Sequence, residues 1–158
     1  MASIRTLPLV HQGTIQAQDL NPMGIMGAAG HFAQFSQGAW SFFAFLGMDQ
    51  HYFETARCGV FALMINAHYI NGVHAGDEVT VHARVIARST KRMHWLGIMV
   101  NNTQHNLTAY VEGLDAHANL EIRRTTPFPE AVTQKLDTLI EAHSSLSWQL
   151  PLSGMITP

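Results

Sequence analysis

Between Asp19 and His31 the sequence DLNPMGIMGAAGH sets a carboxylate, a carboxamide and an imidazole around a glycine-rich turn. An Asp in such a turn can take a proton or attack as a nucleophile. An Asn can orient water or a carbonyl but cannot act as a base. Each also has a plain structural role: Asp19 suits an Asx-type turn or helix cap, and Asn21 before Pro22 suits fixing the turn. His31 could reach a pocket from the helix start or sit satisfied at an interface. Further along, the Ser36 hydroxyl can bond back to a carbonyl one turn earlier or face a ligand. Glu112, an acid inside an apolar strand, must be paired or functional. Trp40, Tyr69 and Trp95 could box a quaternary ammonium group or simply pack a core.

The element that must position these groups is a helix over residues 28–46. No proline interrupts it, and Phe32, Phe35, Ala39, Phe42, Phe43 and Leu46 recur at three-and-four spacing, so it spans about 28 Å. Gly30, Gln34, Gln37, Gly38 and Ser41 form a narrow polar or small stripe opposite, and Gly47 supplies a C-terminal stop. Apolar around most of its girth, this helix predicts a sheet that wraps it. Residues 8–17 read as a first strand and residues 48–57 as a loop or helical turn. From Gly59 the period becomes strand-like. VFALMINAHYING predicts a strand buried on both faces in its first half, and Val79, Val81, Ala83, Val85 and Ala87 alternate with polar residues in the next. Two further strands, around residues 92–100 and 107–123, complete a predicted four-stranded meander. RRTTPFPE breaks the sheet, residues 131–143 form an amphipathic helix, and the tail from Ser144 to Pro158 shows no periodicity.

A chain of 158 residues, 47% hydrophobic and only 13% charged, fits one domain over 1–158, with a core at about 8–142 and a C-terminal tail at 144–158. So few charges favour an oligomer that covers part of the surface. A net charge of −2 gives no electrostatic case for nucleic acid or an anionic membrane. With one cysteine, Cys58, and no long apolar leader or span, the expectation is a soluble cytoplasmic protein. Ten histidines are scattered without metal-ligand spacing, so no metal is expected.

Strand, long buried helix, then antiparallel strands curling around it is the order of an α+β hotdog fold. DLNPMGIMGAAGHFAQFSQGAW also resembles the turn-and-helix signature of the 4-hydroxybenzoyl-CoA thioesterase-like acyl-CoA thioesterases, in a thioesterase-like branch. INAHYINGVHAGDEVTVHARV, STKRMHWLGIMV and EGLDAHANLEIRRTTPFPEAV are similar to the same relatives' strands. The resemblance implies hydrolysis of an acyl-CoA thioester between two protomers of a homodimer or homotetramer, with coenzyme A as part of the substrate and no separate cofactor. It implies amides of Gly24, Ile25, Met26 and Gly27 as oxyanion donors, Asp19 as base or nucleophile and Asn21 as orienter. Asn21 falls where relatives carry their catalytic acid, and Ser36 near a second acidic position. In this fold Asn66 and His68 can line the acyl site, beside His31 and Ser36. DLNPMG also looks like the motif of enoyl-CoA hydratases, with Gly24 standing at their catalytic histidine. A hydratase or dehydratase, or a non-catalytic acyl-CoA or small-ligand binding protein, is therefore the alternative.

Overall fold

A computed structural model describes residues 4–158. Residues 1–3 of the domain expected over 1–158 lie outside the described residues. The helix over Ala28–Leu46 (α1) forms as its spacing predicts and ends on Gly47 in the left-handed region (φ 101°), whose N–H donates to Ala44 O. A six-stranded sheet curls around it, built from Leu9–Thr14 (β1), Cys58–Tyr69 (β2), Glu78–Arg88 (β3), Arg92–Asn101 (β4), Asn106–Asn119 (β5) and the short Arg124–Thr125 (β6). Gln50–Ala56 (α2) is helical, capped by the Asp49 side chain, and Glu130–Ser144 (α3) closes the regular structure.

The buried face of α1 differs from the expected one. His31, Gln34, Phe35, Gly38, Phe42, Phe43 and Leu46 are buried, whereas Phe32, Trp40 and Phe45 are about half exposed. The small residues thus face the sheet. A Cβ on Gly38 would stand 3.3 Å from Val10 and 3.4 Å from Val81, so this glycine lets the helix lie close on β1 and β3. The sheet covers one side of α1 only, because the strand that could close the other side is itself an edge.

That strand is β2. The sheet order is β1-β3-β4-β5-β2, so only β3, β4 and β5 form a meander. β2 crosses the whole sheet to pair with β5, and the segment after it is a crossover, not a hairpin turn. This crossover seats Val73 in the core and offers its carbonyl to the Met26 N–H at 2.8 Å. The expectation that the first half of β2 is buried on both faces is also corrected: Phe61, Leu63, Met64 and Ile65 are 40–49% exposed, since β2 has a neighbour on one side alone.

The aperiodic tail has a definite place. Leu146, Trp148 and Leu150 pack with Ile4 and Leu7 against Leu96, Ile98, Val100 and Tyr110 on the outer face of the sheet. Polar ties fix its path, from the Arg84 guanidinium to Trp148 O, the Tyr110 hydroxyl to Pro151 O and the Ser153 N–H to Glu112. β4 is consequently buried on both faces. Replacing Trp148 by Ala should cost about 3 kcal/mol, typical for removing a packed aromatic, and lower Tm by roughly 6–12 °C for a chain of this length. An unchanged Tm in scanning calorimetry would show that the tail does not belong to the fold.

Candidate functional site

The turn before α1 is held almost entirely by its own backbone. Asn21 N–H donates to Ile25 O at 2.8 Å, Gly24 N–H to Asn21 O at 2.9 Å, and Gly27 N–H to Asp19 O at 3.3 Å. The Asn21 carboxamide oxygen accepts from Met23 N–H at 2.9 Å, an Asx turn ahead of the helix. Gly24 has φ +77°, a conformation a side chain strains, so the residue at the hydratase histidine position is one the turn requires to be glycine. Gly30 meets the turn from the helix side: a Cβ there would stand 2.8 Å from the Asp19 carbonyl oxygen.

These bonds redistribute the expected roles. Of the four amides from Gly24 to Gly27, those of Gly24, Met26 and Gly27 are committed to carbonyls, which leaves Ile25. The free donors lie just beyond, on Ala28, Ala29 and Gly30, the first turn of a helix with no side-chain cap. Asp19 is likewise occupied, its carboxylate accepting the Gln16 N–H at 2.8 Å. Its ordinary role as a local cap is therefore filled.

A cleft lies between this turn and the end of β2, lined by Asn21, Ile25, Gly27, His31, Tyr69 and Asn71 among others, and Asp19 is not among its lining residues. His31 is 4% exposed. Its Nδ1 lies 3.0 Å from Gly27 O, an acceptor, so Nδ1 carries the proton and Nε2 holds a lone pair. Nε2 is buried with no partner. Burial pushes the His31 pKa below its usual value and outweighs the Gly27 bond, keeping the ring neutral at pH 7. The Tyr69 ring packs edge-on against it, 5.0 Å between centroids.

The strand candidates fall elsewhere. Asn66 and His68 pair with Glu112 and Tyr110 and lie on the outer face, where His68 stacks on the Tyr110 ring at 4.4 Å. Neither is among the residues that line the cleft at the helix start. Glu112 is fully buried beneath the tail. Burial raises its pKa, but donation from Ser153 N–H and from His94 Nε2, 2.8 Å away, more than offsets this and holds it low. It is a paired structural acid. Among the described residues no cluster of three or more His, Cys, Asp or Glu could hold a metal ion.

One functional candidate escaped the sequence reading. Asp115, on the inner face of β5, lines a cavity of about 180 Å³ between α1 and β2, with Phe32, Phe35, Ser36, Trp40 and Trp95. Ser36 thus lies in this second cavity. Asp115 is 3% exposed, and its one hydrogen bond comes from Trp95 Nε1 at 2.7 Å. Desolvation pushes its pKa up to about 6, the indole donor opposing. The available signal was parity: Val111, Gly113 and Asp115 share one strand face, and an acid among apolar residues there points inward.

A family model described as the thioesterase-like superfamily matches residues 15–136, well over half of the chain. The chain belongs to the thioesterase-like superfamily. It is similar to a betainyl-CoA thioesterase of Pseudomonas aeruginosa, 24% identical over 112 residues that cover 71% of this chain and 70% of that one. The fold is shared with a Staphylococcus aureus hypothetical protein solved in complex with CoA, with TM-score 0.85, 20% identity and 96% of each chain covered. It is also shared with a 1,4-dihydroxy-2-naphthoyl-CoA thioesterase from Synechocystis, with TM-score 0.71 and 12% identity over 82% of this chain and 95% of that one. The hotdog arrangement expected from the sequence is that of these structures.

Asp115 gives a pH-dependent prediction. Its folded pKa of about 6 lies above the ordinary value of an aspartate. Folding thus favours the protonated form, and stability is lost as pH rises from about 4 through 6. The loss is on the order of 3 kcal/mol above that window. Asp115→Asn, which can still accept from the indole, should therefore raise Tm at pH 7.5, with the gain shrinking towards pH 4. A variant no more stable than wild type at pH 7.5 would show that the buried carboxylate carries no such cost.

Proposed function

We propose that this protein hydrolyses acyl-CoA thioesters at the cleft between the α1 start and the end of β2, with His31 as the base. The observation that carries the assignment is the buried, unpartnered Nε2 of a neutral imidazole in a cleft that also holds Asn21 and adjoins the free first-turn amides of α1. Amide donors and the positive end of the helix dipole favour the oxyanion that develops when water adds to the carbonyl. Asn21, its Oδ1 bound to Met23 N–H, has its NH₂ group left to orient water or the carbonyl oxygen. His31 Nε2 takes the proton from the attacking water and returns it to the leaving thiolate. Membership of the thioesterase-like superfamily and the likeness to a curated acyl-CoA thioesterase support the reaction class.

Asp19 is the competing base, and the two are separable. Asp19→Asn keeps an acceptor for Gln16 N–H and should leave kcat/KM within a few-fold, whereas His31→Gln should lower it by about 10² or more in a thiol-release assay. The acid limb of the wild-type profile should have its midpoint below 6.5, since activity falls only as pH drops through the lowered pKa of His31. A large loss in Asp19→Asn with His31→Gln near normal would transfer the role to Asp19.

The same reading includes a homodimer, or a tetramer built from it, with β2 at the interface. The free edge of β2 is twelve residues long and apolar, and it stands beside the exposed Phe32 and Trp40 of α1. Unprotected edges of this kind are ordinarily covered. Light scattering at micromolar concentration should give a dimer or tetramer mass, and a monomer would overturn the two-chain site.

A further inference from the structure

We infer that the cavity around Asp115 takes the far end of the acyl group and that this end carries a positive charge, an alkylammonium or quaternary ammonium. The inference rests on the thioesterase reading, because it names the substrate class of that site. Its ground is a carboxylate left without a cation. Asp115 is all but removed from solvent, yet among the described residues no Lys, Arg or His lines its cavity, and the indole N–H of Trp95 is its single hydrogen-bond donor. A buried carboxylate is ordinarily compensated by a charge of opposite sign. Here the walls around it are aromatic faces and edges, from Phe32, Phe35, Trp40, Phe43 and Trp95. Such rings attract cations electrostatically and exclude water. An apolar acyl chain would gain from the rings but would leave the carboxylate as it is. A cation satisfies both.

The pocket is built to hold this arrangement. Trp95 can reach Asp115 only because residue 113 has no side chain: a Cβ on Gly113 would stand 2.8 Å from the indole Nε1. Gly97, on the neighbouring strand, gives the same ring room, with a Cβ there 3.2 Å from Trp95 Cζ3. Trp40, about half exposed and packed edge-on against Phe43 and Phe53, lines the cavity on its α1 side.

The cavity also bears on chain length. It adjoins Phe32 and Ser36 on α1 and Ile65 on β2, whereas the thioester cleft adjoins Ala28, His31 and Tyr69. Both lie between the same two elements. From Ala28 to Ser36 the helix advances about 12 Å, so carbonyl and charge are separated by roughly 8–12 Å. A medium chain spans this. A cation one carbon from the carbonyl does not.

Matched acyl-CoA pairs test the proposal, one member ending in trimethylammonium and the other in the neutral, equally shaped tert-butyl group, on short, medium and long chains. On the medium chain wild type should favour the cationic member in kcat/KM by about 30-fold or more. Asp115→Asn, which keeps the indole acceptor, should abolish that preference, and Trp40→Leu should weaken it. Equal use of both members by wild type, or an undiminished preference in Asp115→Asn, overturns the inference. Should wild type cleave neither member, the hydrolytic reading fails while this one stays measurable. Calorimetry with non-hydrolysable CoA thioethers of the same two groups must then show the cationic one binding more tightly, by the same factor, and less so in Asp115→Asn. Equal binding overturns it.

Discussion

The burial of one face of α1 in the concave side of the sheet is the constraint from which the other features follow. Phe35, Phe42, Phe43 and Leu46 fill the sheet's hollow, and Gly38 allows the close approach to β1 and β3 that this filling needs. Helix and sheet each present a surface that is unstable in water, and each removes the other's. Because the sheet is open at β2, the contact is one-sided. The uncovered flank of α1 and the inner face of β2 then form the walls of a groove, and both cavities of chemical interest lie in it.

The start of the helix is tied into this frame from two directions. The crossover after β2 fixes the turn through Val73 O and Met26 N–H, and the missing side chain of Gly30 leaves room for the Asp19 carbonyl against the helix surface. Most of the turn amides are committed to such ties, while the first-turn donors of α1, the Asn21 NH₂ and the His31 lone pair have no partner among the described residues. A rigid turn has fewer free groups but holds them in place, which is the arrangement that electrostatic stabilisation of a developing charge needs.

Two buried acids three residues apart on opposite faces of β5 show how environment sets the state of a carboxylate. Glu112 lies under the tail with His94 and Ser153 N–H bound to it, and its charged form is stabilised. Asp115 faces the groove with one neutral donor, and its charged form is penalised. The tail belongs to the same account, since it seals the outer face and leaves the inner groove as the place where a ligand can enter.

The sequence alone determined everything that depends on a segment's own period and punctuation. The span of α1, its Gly47 stop, the facing of Val79 to Val85, and the glycine-rich turn at the helix start are local properties, set by backbone geometry and side-chain alternation. The superfamily resemblance was legible for the same reason, as an order of such local patterns. Only the tertiary structure decided what each face meets. Parity showed that Asn66 and His68 share a face but not that this face lies away from α1, and it could not show that β2 crosses to β5. Asp19 reads locally as the base, and only the fold shows that its carboxylate accepts the Gln16 N–H and lies outside the cleft lining. The tail had no period to read because its irregular path is dictated by the outer face it covers. Asp115 became conspicuous only when its surroundings were assembled, because the cost of a buried charge is set by neighbours that are distant in the chain, and no residue carries that information by itself.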